Sequence, residues 1–294
     1  MPVRSGAIGH RTQVVANVDT RWVLAYAAGM GFDPDLCLDD SRPGGPVVPP
    51  TFCTGLEWIL AGDPARASVL GLTERERIRG VHAAQDTTFH RPFRANSRVR
   101  VTSEIRYMRR TRAGTMLLAR IDTADDATGD LLTESWMTSI VRDVDCDVDE
   151  AGEAPAHLAI PIAPPPAGAA RAEVRTDRGL PQIYTECARI WNPIHTERAV
   201  ALAAGLPDII LHGTATWALA AREVIRARAG GDVRRIRRLA GRFRAPVIAG
   251  GLVAVVHGPV DGGGIGFRVE TDGGAIAMTD GLIELVDTSG VVER

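Results

Sequence analysis

The chain has 294 residues, of which 45% are hydrophobic and 24% charged, and its formal net charge is -2. This composition is typical of a globular protein with enough apolar residues for real cores, and the charge argues against a general nucleic-acid binder. No apolar run approaches the roughly 20 residues of a membrane helix, so we expect a cytoplasmic protein with no membrane partner.

Two residue types narrow the chemistry further. All 34 basic residues are arginine, which excludes a P-loop lysine and a lysine Schiff base. No Gly-x-Gly-x-x-Gly follows a convincing strand, so a nucleotide cofactor has no support. The four cysteines are scattered without a Cys-x-x-Cys pair, and neither a zinc site nor a disulfide framework is predicted. We therefore expect chemistry without a metal or cofactor.

The first half of the chain predicts two helical segments followed by an antiparallel meander. The helical segments, 20–29 and 51–62, carry apolar residues at helical spacing and end near glycines. Strands are predicted next, with turn residues between them, at 86–91, 99–107, 115–123 and 131–141.

A segment of different composition separates the halves. Residues 143–177 contain an acidic run and then IPIAPPPAGAA, a composition that resists regular structure. We predict residues 1–142 as an N-terminal domain, 143–177 as a Pro/Ala-rich linker and 178–294 as a C-terminal domain.

The second half repeats the order of the first. A helix is predicted to begin at Pro193 after the N-cap Asn192 and to continue for about three turns to Gly205. A second helix should span 213–229, and four strands should follow, at 237–243, 252–257, 265–271 and 275–286. A long helix with four or five antiparallel strands buries itself when the sheet wraps around it, so we predict this α+β arrangement in each half.

The segment 184–214 concentrates the candidate functional residues. It reads YTECARIWNPIHTERAVALAAGLPDIILHGT and contains His195 in the first turn of a predicted helix, then a His-Gly pair. The positive end of a helix dipole disfavours a second proton on an imidazole there. His195 is therefore a candidate base.

This segment, with the Pro-x-x-x-Gly of Pro246 to Gly250, resembles the MaoC-like (R)-specific enoyl-CoA hydratases and dehydratases. In that family a Tyr or Phe precedes a run ending in Gly-Asp-x-Asn-Pro-x-His, and a His-Gly pair follows about one helix later. The matching residues here are Tyr184, Asn192, Pro193, His195, His212 and Gly213. The resemblance implies a double hot-dog fold of class α+β, with two tandem antiparallel sheets, each wrapped around a central helix.

The resemblance also implies a reaction that needs no cofactor: hydration of an enoyl thioester or dehydration of a 3-hydroxyacyl thioester. His195 would be the catalytic base, Asn192 would orient the water, and the Gly213 N–H would stabilise the thioester oxygen. The residues expected to bind substrate are Tyr184, Ile190, His212, Arg242 and Arg244. For His212, an alternative role is to anchor the loop that presents Gly213.

Position 190 departs from the family pattern. Ile190 stands where the family has its catalytic Asp, and Arg189 replaces the preceding Gly. Losing one proton-transfer group typically costs about 10² to 10⁴ in rate. Another carboxylate could replace the Asp, and Glu186 is favoured because a predicted strand would place it on the same face as Ile190. The alternatives are single-base chemistry, such as isomerisation or dehydration of an unusual intermediate, and a non-catalytic protein that binds acyl thioesters.

Arginines concentrate between positions 234 and 244. A solvated face is the usual explanation of such a run, but arginine forks also suit the phosphates of coenzyme A or an acidic carrier protein. We therefore expect an acyl-CoA or acyl-carrier-protein thioester as the partner, bound by Arg242 and Arg244. No interleaved aromatic residues support nucleic-acid stacking. The resemblance is also compatible with a homodimer.

Overall fold

The structure is a computed structural model that describes residues 2–261 and 263–286. The strands are β1 Arg11–Val18, β2 Gly80–Phe89, β3 Ser97–Thr111, β4 Gly114–Asp125, β5 Leu131–Arg142, β6 Glu150–Gly152, β7 Ala170–Arg175, β8 Ile210–Leu211, β9 Ile236–Phe243, β10 Val247–Ile248, β11 Leu252–Pro259, β12 Ile265–Thr271 and β13 Ile276–Leu285. The α-helices are α1 Thr20–Met30, α2 Pro34–Cys37, α3 Cys53–Ala61, α4 Pro64–Val69, α5 Glu74–Arg77, α6 Leu180–Ala188, α7 Arg198–Ala203 and α8 Gly213–Arg228. None of the helices in these ranges has the length and apolar character required to cross a bilayer.

The chain divides into two compact units. The first unit consists of Met1–Asn17, Leu56–Arg91 and Arg98–Pro161, and the second unit consists of Val18–Gly55, Pro92–Ser97 and Ile162–Arg294. The segment that contains α1 therefore groups with the C-terminal half of the chain. The predicted boundaries at 142 and 178 remain proposals about how the chain is divided into domains.

The first unit is built on the predicted meander. Its strands are ordered β1-β3-β4-β5-β2, and β6 pairs antiparallel with β3. The part of α3 within this unit is held to the sheet by Glu57, whose buried carboxylate accepts hydrogen bonds from Gln85 Nε2 at 2.8 Å and from Ser135 Oγ. Thr87 and Ser135 lie opposite each other on β2 and β5, so the register of these two strands fixes the positions of the polar side chains around Glu57.

The strands of the second unit are antiparallel neighbours in the order β9-β13-β12-β11-β7, and α8 packs on them. Residues 214–221 of α8 are all buried, and the alanines among them allow a close approach between helix and sheet. Glycines on both elements make room for large rings. A Cβ at Gly213 would lie 2.9 Å from Phe243, and Gly241 lies beside Trp217.

Helix α1 packs on α6 in the same unit. Gly29 permits this contact, since a Cβ there would lie 2.8 Å from Cys187 Sγ. The indole N–H of Trp22 donates to the carbonyl of Cys187 at 2.8 Å. The C-terminal end of α6, which leads to position 190, is therefore held by α1.

One expectation about regular structure is wrong, and one strand was missed. The segment 143–177 contains β6 and β7, because β7 gains the backbone hydrogen bonds of an edge strand on β11, a long-range pairing that composition does not reveal. Strand β1 was not predicted. The four cysteines are buried and free.

Candidate active site

The turn that carries His195 is shorter than predicted. Asn192 is the expected N-cap, and its side chain accepts from the Ile194 N–H at 3.4 Å, but Pro193–His195 is a 3-10 turn. Glu197 then has extended backbone before α7 begins. Gln182 Nε2, on α6, donates to the Thr196 carbonyl at 3.3 Å. A residue distant in sequence therefore binds a carbonyl at the break between the 3-10 turn and α7. The predicted three-turn helix is therefore wrong, although Gly205, with φ of 79°, follows the end of α7 as expected.

The hydrogen bond of the His195 ring selects its tautomer. Nδ1 lies 2.9 Å from the carbonyl oxygen of Ile210, which can only accept, so Nδ1 carries the hydrogen. In the neutral ring Nε2 then has the free lone pair. Burial lowers the pKa of His195, and the hydrogen bond to Ile210 opposes this only in part. The lowered pKa favours a neutral ring, in which Nε2 is the nitrogen able to accept a proton.

The ring of His212 stacks on that of His195, with centroids 3.7 Å apart and an interplanar angle of 23°. His212 is only 3% exposed. Its Nε2 lies 3.2 Å from the carbonyl of Ile190 and 3.3 Å from Thr185 Oγ1, so Nε2 carries the hydrogen. Burial, and then the nearby charge of a protonated His195, hold the pKa of His212 well below its usual value.

The carbonyl of Ile190 is positioned by the end of α6. Arg189 has left-handed backbone with φ of 58°, and the Ile190 N–H donates to the Thr185 carbonyl at 3.2 Å. The Arg189 guanidinium lies 4.0 Å over the ring of Trp22 and pairs with Asp19 at 3.4 Å. These contacts compensate for a backbone conformation that non-glycine residues rarely adopt. The side chain of Ile190 is buried, with 2% exposure, and presents an apolar wall.

Glu186 does not replace the missing carboxylate. It lies on α6, whose buried residues follow the helical period, and its side chain is exposed, so the predicted strand shared with Ile190 is wrong. Glu197 is exposed, and Asp208 pairs with Arg198 at 3.1 Å. Among the described residues, the hydrogen bond of the His195 ring is to a carbonyl and not to a carboxylate.

Tyr184 is completely buried next to His212. The two ring centroids are 4.9 Å apart, and the Tyr184 hydroxyl lies 3.4 Å from Thr54 Oγ1. Burial raises the pKa of Tyr184, so the phenol stays neutral. Thr54, like Trp22, comes from the first half of the chain, and no local motif indicates that either residue supports this region.

Gly213 begins α8, and His212 is the N-cap residue without a side-chain cap hydrogen bond. The first N–H groups of a helix have no intrahelical partner, which makes them available to an electronegative ligand atom. The ring of Phe243 occupies the space that a side chain at 213 would need. Gly213 is thus required by packing as well as suited to present its N–H.

Arg242 and Arg244 are both paired with Asp280. Arg242 Nε lies 3.3 Å from Asp280 Oδ2, Arg244 Nη2 lies 3.8 Å from the same oxygen, and Arg244 Nε donates to Thr279 Oγ1 at 3.0 Å. Two exposed guanidinium groups share one carboxylate, so this surface retains a positive charge.

Comparisons with known proteins find relatives of both halves of the chain. Residues 173–270 match the family model described as MaoC like domain, and residues 6–133 match the FAS1-like, dehydratase domain region. The 3-hydroxyacyl-thioester dehydratase Y of Mycobacterium tuberculosis is 28% identical over 214 residues, which cover 70% of this chain and 72% of the relative. The peroxisomal multifunctional enzyme type 2 of Mus musculus is 30% identical over 137 residues, or 46% of this chain and 18% of that enzyme.

Solved structures show the same fold. The MaoC-like dehydratase of Phytophthora capsici superposes with a TM-score of 0.85 at 17% identity, covering 98% of this chain and 99% of that one. A Mycobacterium tuberculosis protein described as having a double hotdog fold gives a TM-score of 0.57 at 15% identity, with 94% of both chains covered. The predicted α+β double hot-dog fold is confirmed, and the chain contains a MaoC-like domain and a FAS1-like dehydratase-domain region, which are the assignments of a hydro-lyase.

Proposed function

We propose that this chain interconverts a 3-hydroxyacyl thioester and the corresponding enoyl thioester, using His195 as its single proton-transfer group. The observation that carries the proposal is the hydrogen bond from His195 Nδ1 to the Ile210 carbonyl, because it leaves Nε2 unprotonated in a neutral ring. The apolar Ile190 replaces the second group of the family, and the nearby carboxylates are exposed or paired.

One histidine is sufficient for a balanced dehydration. Nε2 of His195 takes the proton from the α-carbon, and the electron pair of the broken C–H bond forms the new double bond as the β C–O bond breaks. The leaving hydroxyl takes the same proton from Nε2 and departs as water. His195 ends neutral, as it began, and hydration is the reverse sequence.

Two further groups support the reacting atoms. The carboxamide oxygen of Asn192 accepts from the Ile194 N–H, which leaves the amide N–H groups to donate to the water or hydroxyl. The N–H of Gly213, at the start of α8, would donate to the thioester oxygen as negative charge develops there. Tyr184 and His212 pack beside this centre, and Ile190 contributes an apolar wall toward the acyl chain.

The test is an assay of the conjugated enoyl absorbance with short, medium and branched acyl-CoAs and with acyl-carrier-protein thioesters. The intact protein should show turnover with at least one of them, and His195→Ala should reduce it by about 10² to 10⁴. His157→Gln, a substitution of an exposed histidine in the first unit, is the control and should retain the rate. The absence of turnover with every one of these thioesters would refute the proposal. Tight binding without turnover would indicate an acyl-thioester-binding protein.

The partners follow from the same proposal. A thioester of coenzyme A or of a carrier protein would place phosphates near Arg242 and Arg244, whose two positive charges share a single carboxylate. We also propose that the chain can form a homodimer. Sedimentation of the purified protein at several concentrations measures this directly.

A further inference from the structure

His212 has no proton-transfer step in the proposed reaction, yet its ring is more constrained than that of His195. Nε2 is held by the Ile190 carbonyl and the Thr185 hydroxyl, one face lies against His195, and the other contacts include Tyr184. Its Nδ1 is buried and has no hydrogen-bond partner within the described part of the chain. A ring held in this way has a fixed tautomer and a fixed plane.

The two stacked rings can hold one proton between them, because two imidazolium rings at this separation repel each other. That proton belongs on His195, since His195 is partly exposed and His212 is not. Tyr184 is the titratable group of α6 that faces His212, and its phenol is neutral. The charged residues Glu186 and Arg189 have exposed side chains.

We infer that His212 is a positioning residue whose permanently neutral ring supports the imidazolium form of His195, and that Ile190 preserves this neutrality by offering only a backbone carbonyl to Nε2–H. The inference rests on the proposed function, because it assigns the support of the proposed base. Ile190 thereby has a function of its own in the site. A side chain without charge at position 190 is what a neutral His212 requires.

Restoring the carboxylate of the family should therefore lower the activity of this chain. In Ile190→Asp a carboxylate is added to the residue whose backbone carbonyl contacts His212 Nε2, and a carboxylate beside this ring favours its imidazolium form. With the proton of the pair held on His212, the ring beside His195 would no longer be neutral. The expected result is a fall in kcat.

Two substitutions of His212 separate its possible roles. His212→Gln retains an amide N–H near the position of Nε2 for the Ile190 carbonyl but removes the aromatic face. His212→Phe keeps the face and removes the donor. For His212→Gln we expect an unchanged melting temperature, a fall in kcat of roughly threefold to thirtyfold, and an acidic limb at lower pH. For His212→Phe we expect the acidic limb of the pH-rate profile to stay at the same pH and the melting temperature to fall.

Nuclear magnetic resonance titration of the histidine rings makes the test independent of turnover. The pKa of His195 should be lower in His212→Gln than in the intact protein, even if no thioester is converted. A protein that titrates in this way but has no activity would refute the proposed reaction and leave the inference about His212 standing. A rate increase in Ile190→Asp, or an unchanged His195 pKa in a folded His212→Gln, would overturn the inference.

Discussion

Nδ1 of His195 donates to the carbonyl oxygen of Ile210 across 2.9 Å, and this one contact decides which nitrogen of the ring can act as a base. Ile210 belongs to β8, whose partner β10 holds it in register through Ile248. Within the described residues, the proposed base is therefore oriented by a carbonyl of a two-stranded ribbon.

The first prediction separates orientation from basicity at position 195. His195→Asn places an amide near the position of Nδ1 and can keep the hydrogen bond to Ile210, but it has no group at the position of Nε2. We expect a folded protein whose rate is lower by about 10² to 10⁴. The measurement is the turnover of enoyl thioester together with the melting temperature. If the variant keeps both, Nε2 is not the base.

The second prediction concerns the pH dependence of the rate. The base must be unprotonated at the start of dehydration, and burial lowers the pKa of His195 below its ordinary value of about 6.5. Activity should therefore stay constant from neutral pH down to below pH 6.5 and fall only as the pH passes the lowered pKa. The measurement is the profile of kcat/KM between pH 4 and 8. An acidic limb above 6.5 would show that another group controls the rate.

The third prediction uses the contact between Gly213 and Phe243. In Gly213→Ala the new Cβ would lie 2.9 Å from the ring, so the ring or the start of α8 must move. Overpacking of this kind typically costs about 1 to 3 kcal/mol in the free energy of unfolding, and the displaced N–H should lower kcat. The double variant Gly213→Ala with Phe243→Leu should recover most of the stability in urea denaturation. No recovery would mean that the ring is not the source of strain.

Sequence patterns predicted the long elements well, because each has a strong period of its own. Helix α8 and strand β12 lie where apolar spacing placed them. The failures have long-range causes: the Pro193 helix is interrupted where Gln182 contacts Thr196, and β7 exists through its pairing with β11. Likewise, the motif identifies His195 but gives no sign of the carbonyl of Ile210 or the indole of Trp22, since a backbone acceptor and a distant aromatic residue leave no local pattern.

The fourth prediction links His82 of the first unit to stability. Its Nδ1 is buried, Nε2 lies 3.1 Å from both the Ala84 carbonyl and Gln85 Oε1, and burial lowers its pKa to about 4. Because the unfolded chain binds this proton more readily, stability is complete above about pH 6.5 and decreases as the pH falls toward 4, by about 3 kcal/mol in total. In His82→Gln, urea denaturation should show a weaker pH dependence over this range. His90 is exposed, so His90→Gln is the control and should keep the pH dependence of stability of the intact protein.

The last prediction tests the proposed phosphate contact of Arg242. The ion pair with Asp280 is exposed, and such pairs contribute about 0 to 1 kcal/mol, so Arg242→Ala should hardly change the melting temperature. If the guanidinium binds the nucleotide phosphates of coenzyme A, KM for an acyl-CoA should rise severalfold, kcat should stay the same, and the effect should shrink at high salt.

The matched substrate is the same acyl group on pantetheine, which lacks the nucleotide phosphates, and its KM should not respond to Arg242→Ala. Arg237→Ala is the matched protein variant, because Arg237 is also an exposed arginine of β9 and pairs with Glu284 at 2.6 Å. It should leave both KM values unchanged. An equal rise of KM for both thioesters would place the effect of Arg242 on the acyl or pantetheine portion and exclude the phosphate contact. A rise in the Arg237 variant as large as in the Arg242 variant would mean that the general charge of β9 attracts the substrate and that no specific contact exists.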